Sequence, residues 1–401
     1  MEDKRCCNSN KINSKNKVAG NKPKIRVSSQ SSSLPYTAEK GSCCCGGSDQ
    51  AEAEPITQYD KKDNWITGEI KTPRGKVPIV STQLAFSDRL GGWKARWGIN
   101  RMNYKINPGL YAVGIPDNTS PVLVTANYKL TFDALRKELA DINAWILVLD
   151  TRGINVWCAA GKGTFGTREI VTRINKTRLH EIVSHRTLIL PQLGAPGVSA
   201  HEVSTKIGFK VVYGPVRASD IKEFITLGMK ATPEMRTVKF NTYDRLVLTP
   251  MELVNTFKIC LMVLGLLFIL NLIAVRSFGV IDLYAYMGAI LAGTVLTPVL
   301  LPWIPGRAFA WKGWFLGFIW AITVNILNGW PFSPSYSLIR LLGYLLILPS
   351  ISSFYAMNFT GSSTYTSLSG VLKEMKIAIP IIIITISSGV LLILIDSFIK
   401  L

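Results

Sequence analysis

Five long apolar runs, near residues 256–275, 281–301, 311–330, 338–357 and 377–398, dominate the carboxyl-terminal part of this 401-residue chain. Each is close to the roughly 20 residues that a helix needs to cross a bilayer. From Ile259 onward only seven Lys/Arg and three Asp/Glu remain. Trp303, Trp311, Trp314 and Trp330 stand near the ends of runs, as interfacial aromatic belts require. Arg245 and Lys258 before the first run, Arg307 and Lys312 in the second loop, and Lys373 and Lys376 in the fourth fall on one side. Arg276 and Lys400 oppose them. The positive-inside rule then places the amino-terminal part in the cytoplasm and the carboxyl terminus outside a cytoplasmic (inner) membrane. Arg340 and Asp396 sit near run ends and Asp282 at a boundary, fewer than an ion pathway normally shows. Asn271, Asn325 and Asn328 are expected to hold helices together. The expectation is a transmembrane domain over 251–401 with five helices, acting as an anchor or partner platform.

The preceding residues are of another kind. Residues 1–60 are rich in Ser, Asn, Lys and Gly without apolar periodicity, and read as a disordered tail. The first 30 residues hold no apolar run, so no secretory signal is expected there. Five of seven cysteines lie in this tail (Cys6, Cys7, Cys43, Cys44 and Cys45), which is not a disulfide framework. They read as a loose thiol cluster for a soft metal, or as thiols without a fixed partner. Of the net charge of +19, residues 61–258 carry +13. No basic-aromatic repeat or recognition helix accompanies it, so nucleic acid is not the expected partner. An anionic membrane leaflet, an anionic cofactor or an acidic protein suits the charge better.

From Pro121 strands alternate with helices. Apolar runs at 121–126, 144–150, 187–190 and 208–213 read as strands ended by turn residues or proline. Phe132, Leu135 and Leu139 share one helical face, with Thr131 as the expected N-cap and Asp133 in the first turn. Asp220–Leu227 reads as a further helix. This pattern implies a small, mostly parallel α/β sheet within 61–250. Residues 61–112 read only as short extended pieces. There Trp93, Arg96, Trp97, Arg101 and Tyr104 are candidates for a cofactor edge, with ordinary packing an equal account.

Cys158 is the folded middle's single cysteine, within Gly153-Ile-Asn-Val-Trp-Cys-Ala-Ala-Gly-Lys-Gly-Thr-Phe-Gly166. It lies just past the carboxyl end of a strand, where open α/β sheets bind ligands. A nucleophile, a metal ligand and an inert core residue are all open readings for it. The glycines at 153, 161, 163 and 166 favour close approach of something large. Gly161-Lys162-Gly163-Thr164 fails the phosphate-loop pattern, because no hydroxyl residue directly follows the lysine. His180, His185 and His201 show no spacing that ties them to Cys158. The first two sit in a basic stretch from Arg173 to Arg186. Cys260, at the start of the first run, reads as a small buried apolar residue.

Asn155-Val-Trp-Cys-Ala-Ala-Gly-Lys162 resembles the cap-helix motif N-[VI]-W-C-A-[AG]-G-K of the HgcA family, the corrinoid proteins of microbial mercury methylation. Thr125–Thr131, Leu190–Gly197 and Tyr213–Arg217 resemble the related corrinoid domain of the corrinoid iron–sulfur protein of acetyl-CoA synthesis. The likeness covers roughly 75–230. It implies a Rossmann-like α/β corrinoid-binding domain followed by an all-α domain of five transmembrane helices. Cys158 would be the lower axial ligand of cobalt in a cobalamin-type corrinoid. Asn155, Val156, Trp157, Ala159, Ala160 and Lys162 would form the cap helix, with Gly153 and Gly161 admitting the ring. Thr125, Asn127, Leu193, Gly194, Ala195, Gly197, Tyr213, Gly214 and Pro215 would surround its edge and tail, with His201 near the tail. The activity implied is a methyltransferase that receives methyl from the methyltetrahydrofolate pathway and passes it to Hg(II); a membrane-bound corrinoid methyl-transfer protein with a non-mercury acceptor and a non-enzymatic corrinoid or metal carrier are the alternatives. A small ferredoxin-like 4Fe–4S protein, HgcB, would be the reductant. The cobalamin motif D-x-H-x-x-G is absent, consistent with cysteine replacing histidine as lower ligand.

Overall fold

Short apolar runs, buried on both faces, build the sheet. The computed structural model describes residues 56–59, 63–272, 278–330 and 337–399. The tail cysteines and Arg276 lie outside the described residues. The strands are β1 (Ile66–Thr72), β2 (Gly75–Val80), β3 (Gly109–Val113), β4 (Val122–Ala126), β5 (Ala144–Leu149), β6 (Thr187–Leu190) and β7 (Lys210–Tyr213). They form one sheet in the order β1-β2-β3-β5-β4-β6-β7. The four strands expected from the sequence, β4 to β7, run parallel to their neighbours in this set. The sheet as a whole is mixed, because β3 pairs antiparallel with β5 and β1 with β2.

Period-two alternation divides each strand between two cores. Leu110, Ala112, Val122, Val124, Leu147 and Leu149 face one, and Tyr111, Val113, Leu123, Ile146 and Val148 face the other. The soluble helices are α1 (Phe86–Arg96), α2 (Lys129–Lys137), α3 (Val156–Gly161), α4 (Thr167–Thr177), α5 (Ala200–Ile207), α6 (Ile221–Thr226) and α7 (Thr242–Leu246). Residues of α3, α4 and α5 fill the first core, and Phe132 of α2 with Phe224 of α6 the second. This is a three-layer α/β arrangement.

The N-cap of α2 is Tyr128, not Thr131, and Asp133 falls beyond the first turn. A charged cluster accounts for the earlier start. Lys129 Nζ lies 2.8 Å from Asp88 and 2.6 Å from Asp133, while Arg136 bonds the same two carboxylates at 2.7 Å each. With Lys129 helical, it and Asp133 stand at i, i+4, the spacing at which such a pair supports a helix. The cluster is almost fully buried and fastens α1 to α2.

Among the described residues, five helical segments long and apolar enough to cross a membrane follow. They are α8 (Thr249–Leu272), α9 (Val280–Leu291) continued through a π turn (Ala292–Leu296) into α10 (Thr297–Leu300), then α11 (Phe309–Leu327), α12 (Leu338–Asn358) and α13 (Leu368–Ile399). At Gly317 an added Cβ would stand 2.7 Å from Pro349 Cα, so glycine sets the close approach of α11 to α12. Tyr284 donates to Asn328 Oδ1 at 2.8 Å, joining α9 to the end of α11. Asn271 of α8 exchanges two hydrogen bonds with the backbone of Phe278, just ahead of α9, and Asn325 donates to Ala321 O of its own helix. Cys260 is buried, with Sγ 3.7 Å from Met287 Sδ.

The scattered ionisable residues of the apolar runs converge. Arg340 of α12 bonds both oxygens of Asp282 at 2.9 and 2.7 Å, and Tyr344 donates to Asp282 at 2.6 Å. Asp396 of α13, also buried, lies 3.9 Å from Arg340.

Candidate functional site

The loop after β5 is held by one side chain. Asn127, at the carboxyl end of β4 and 2 % exposed, turns its Oδ1 toward three donors of that loop. It accepts from Thr151 N at 3.1 Å and Gly153 N at 2.9 Å. Thr151 Oγ1 lies 2.9 Å from the same oxygen and 2.7 Å from Ile154 O, so its single proton serves one of them. Arg152 and Gly153 both take left-handed backbone, at φ 58° and 74°. At Gly153 an added Cβ would also meet Met102 O at 3.2 Å and Lys105 Cβ at 3.4 Å. Glycine therefore lets the loop turn and pack on the segment after α1.

Asn155 caps α3, accepting from Cys158 N at 2.9 Å. Helical spacing then sorts α3 into two sides. Val156, Ala159 and Ala160 are buried in the first core, whereas Trp157, Cys158, Gly161 and Lys162 are exposed. Trp157 is 43 % exposed, far more than packing alone would leave an indole. The glycine run closes the helix: Gly163, at φ 77°, donates to Ala160 O, and Thr164 N donates to Ala159 O. That is a Schellman termination. No heavy atom lies within 4 Å of an added Cβ at Gly161 or Gly163, so the ground beside Cys158 is open.

Beneath α3 runs a 3-10 segment, Gln192–Gly197. Phe165 is fully buried there, and a Cβ on Gly194 would overlap its ring. A Cβ on Gly197 would overlap Phe165 O and stand 3.0 Å from Ala160 Cα. These glycines thus seat α3 on the segment below. Leu193, with Thr125, Val156, Gly214 and Pro215, lines a cavity of about 180 Å³ at the carboxyl ends of β4 and β6. The chain passes from β4 to β5 on one side and then crosses from β5 to β6 on the other side of β4, so the gap between β4 and β6 is the switch point of the sheet. Tyr213 donates to Val198 O at 2.8 Å, and its burial raises the phenol pKa.

The remaining candidates fall elsewhere. Ala195 lies on the 3-10 segment, and His201 is exposed in the first turn of α5. His185 is structural: its Nε2 lies 2.9 Å from Ser120 O and its Nδ1 accepts from Thr187 N at 3.2 Å. His180 is exposed beside Glu181. No cluster of three or more His, Cys, Asp or Glu side chains suited to a metal ion occurs among the described residues. Sequence reasoning missed Thr151, Glu169 and Arg217. Glu169 accepts from Asp150 N at 2.9 Å and is held by Arg173. Arg217 lines the cavity and pairs with Asp244 at 2.5 Å. Only folding brings these together, and no local periodicity announces them.

Residues 100–225 match the family model described as CdhD, CO dehydrogenase/acetyl-CoA synthase delta subunit. Individual relatives are acetyl-CoA decarbonylase/synthase complex gamma subunits. That of Methanopyrus kandleri is 36 % identical over 123 residues, 30 % of this chain and 26 % of the relative. Those of Archaeoglobus fulgidus and Methanocaldococcus jannaschii are 34 % and 33 % identical over 127 and 122 residues, covering 31 % and 30 % of this chain and 27 % and 25 % of theirs. The chain thus spans about a quarter of the length of these relatives. The matched stretch begins after α1, contains Asn127, the Cys158 helix and the cavity, and ends before the apolar helices.

Proposed function

We propose that the α/β domain binds a cobalamin-type corrinoid over the outward side of α3, with Cys158 as lower axial ligand of cobalt. The chain would then be a membrane-anchored methyltransferase of the HgcA kind, transferring methyl to Hg(II) to form methylmercury. The observation that carries this is the exposed Cys158 thiol, on open ground at the carboxyl edge of the sheet, within Asn155-Val-Trp-Cys-Ala-Ala-Gly-Lys162. A flat macrocycle needs an unobstructed platform, and a soft sulfur donor suits a transition metal. The bound cofactor would supply a methyl group transferable to an electrophilic metal, chemistry that side chains lack.

The protein's share is placement. Asn155 ties the Cys158 backbone to the start of α3, and Asn127 fixes the loop ahead of it. Gly194 and Gly197 seat the helix, so the thiol direction is set before any ligand arrives. The 180 Å³ cavity is too small for a corrin ring but suits part of an extended tail, with Thr125, Leu193, Gly214 and Pro215 beside it. Trp157 and Lys162 complete the exposed side, and Ala195, His201 and Tyr213 remain candidates for the periphery. A ferredoxin-like 4Fe–4S protein would return electrons after each transfer, with methyl supplied from the methyltetrahydrofolate pathway. The α/β domain would face the cytoplasm.

A second reading keeps the cofactor and Cys158 but gives methyl to an acceptor of acetyl-CoA metabolism. The acetyl-CoA decarbonylase/synthase relatives favour it. The test is the visible spectrum of the detergent-solubilised full chain, reconstituted anaerobically with methylcobalamin, beside Cys158→Ala. A base-displaced spectrum that changes in the variant supports the thiolate ligand, and identical spectra defeat it. Methylmercury yield with Hg(II) and a reduced ferredoxin then separates the two acceptors.

A further inference from the structure

The surface of α1 and the turn after it is unlike the rest of the α/β domain. Phe86, Leu90 and Trp93 lie along one exposed side at helical spacing, and Ile99 and Met102 extend it. Phe86 is 80 % exposed, Trp93 54 % and Met102 67 %, while Gly92 and Ala95 bury the opposite side. Single exposed apolar residues are ordinary, but three on one helix side followed by two more in the next turn mark a contact surface. Arg89 and Lys94 are exposed beside it. A strip of this kind edged by basic residues is the pattern of a helix lying in a membrane interface.

Two independent observations say what covers it. The first is position. Helix α1 ends in a Schellman turn at Gly98, φ 74°, with Ile99 N donating to Lys94 O at 2.9 Å. A Cβ on Gly98 would stand 3.4 Å from Val254 Cγ1 and 3.7 Å from Met251 Cε, at the start of α8. The first apolar run, near 256–275, begins within about one helical turn of Val254. The end of α1 thus touches the chain where it enters the bilayer.

The second is an unmet demand for an anion. Arg101 places its guanidinium 5.7 Å from the centre of the Tyr128 ring, and Tyr128 is 4 % exposed. The charges of Arg101 and Arg96 both act on the Tyr128 hydroxyl. Tyr128 OH and Arg96 Nε are buried without hydrogen-bond partners. Among the described residues, no carboxylate pairs with either arginine. Arg101 Nη1 donates to Ala95 O at 3.3 Å, a neutral partner that leaves its charge uncompensated. Two neighbouring guanidinium groups without a counter-charge fit a phosphate.

We propose that α1 and the Arg101 turn form a membrane-docking surface whose occupant is an anionic phospholipid. Its phosphate meets Arg96 and Arg101, and its acyl region meets Phe86, Trp93 and Met102. The inference rests on the membrane-spanning reading of α8 and is independent of the corrinoid. It has a consequence for the site: Gly153, in the loop leading to Cys158, packs on Met102 and Lys105. Docking would therefore fix the Cys158 loop relative to the bilayer.

The test is hydrogen exchange of residues 86–103 in the full chain, held in nanodiscs of phosphatidylcholine alone or mixed with phosphatidylglycerol. Exchange is expected to be slower with phosphatidylglycerol. Each basic residue near an anionic surface contributes about fivefold to docking, so Arg96→Gln with Arg101→Gln should erase most of the difference. Phe86→Ser with Trp93→Ser should speed exchange in both lipids. Unchanged exchange of β4 and β5 amides certifies the fold. If the Gln pair disturbs those strands, Arg96→Lys with Arg101→Lys decides instead, retaining the lipid difference if the proposal holds and losing it otherwise. Equal exchange in the two lipids overturns the proposal. So does equal protection in phosphatidylcholine on adding inorganic phosphate, which would mean a free-anion site. Protection that rises with protein per disc would mean a second copy of the chain, and also overturns it.

Discussion

Replacing Asn127 by alanine should loosen the Cys158 loop without touching the thiol. The Asn127 carboxamide oxygen accepts from two buried backbone donors, Thr151 N and Gly153 N. Thr151 is fully buried, so water does not simply replace the lost acceptor. A buried donor left unsatisfied costs about 1–3 kcal/mol, and two give roughly 2–4 kcal/mol after partial relaxation. Even about 2 kcal/mol corresponds to roughly thirtyfold easier opening. Hydrogen exchange at Thr151 to Cys158 should therefore accelerate by at least that factor in the full-length chain, while β3 and β6 stay protected. Asn127→Asp keeps the accepting oxygen but sets a second carboxylate beside Asp150, whose Oδ1 is 3.4 Å from the amide nitrogen. Its acceleration should be smaller than that of alanine at neutral pH. Unchanged exchange at Thr151 and Gly153 in Asn127→Ala would refute the clamp. Equal acceleration across the whole domain would show a general packing role instead.

Three further outcomes are expected. Gly197→Ala forces a methyl against Ala160 backbone and Phe165 O, and should cost about 1–3 kcal/mol, read as a lowered unfolding midpoint and faster exchange of α3. Asp88 is pushed up by burial, but Lys129 and Arg136 outweigh that and hold its pKa below the ordinary carboxylate value. Its stabilising contribution is then present above about pH 4 and lost as pH falls through the lowered folded-state pKa. Asp88→Asn should remove that part of the acid dependence of the thermal midpoint. Arg340→Ala strands Asp282 and Asp396 and should cost about 3–5 kcal/mol, whereas joint replacement by Asp282→Leu, Arg340→Met and Asp396→Leu should recover most of it; detergent-phase unfolding of the three chains would show the recovery or its absence.

Local chemistry made much of this molecule legible before folding. Length and continuous apolarity were enough for the five membrane-length helices, because a helix satisfies its own backbone within one segment. Apolar runs ended by Pro191 or Gly214 were enough for β4 to β7. The eight residues around Cys158 lie, as expected, just past the carboxyl end of β5. Other features depended on distant partners. The fully buried β3 has no alternation to read, and its strand identity comes from pairing with β5 some 35 residues later. Helix α2 begins at Lys129 because Asp88, 41 residues earlier, supplies a counter-charge. Asp282 and Arg340 are 58 residues apart and looked like boundary charges until α9 and α12 packed. The same holds for Asn127 and Gly153, 26 residues apart, whose hydrogen bond aims the Cys158 loop. Periodicity, caps and segment length are properties of neighbours along the chain, and the sequence by itself determined those. Tertiary structure decided which buried charges and donors were satisfied, because their partners are chosen by the closing of long loops.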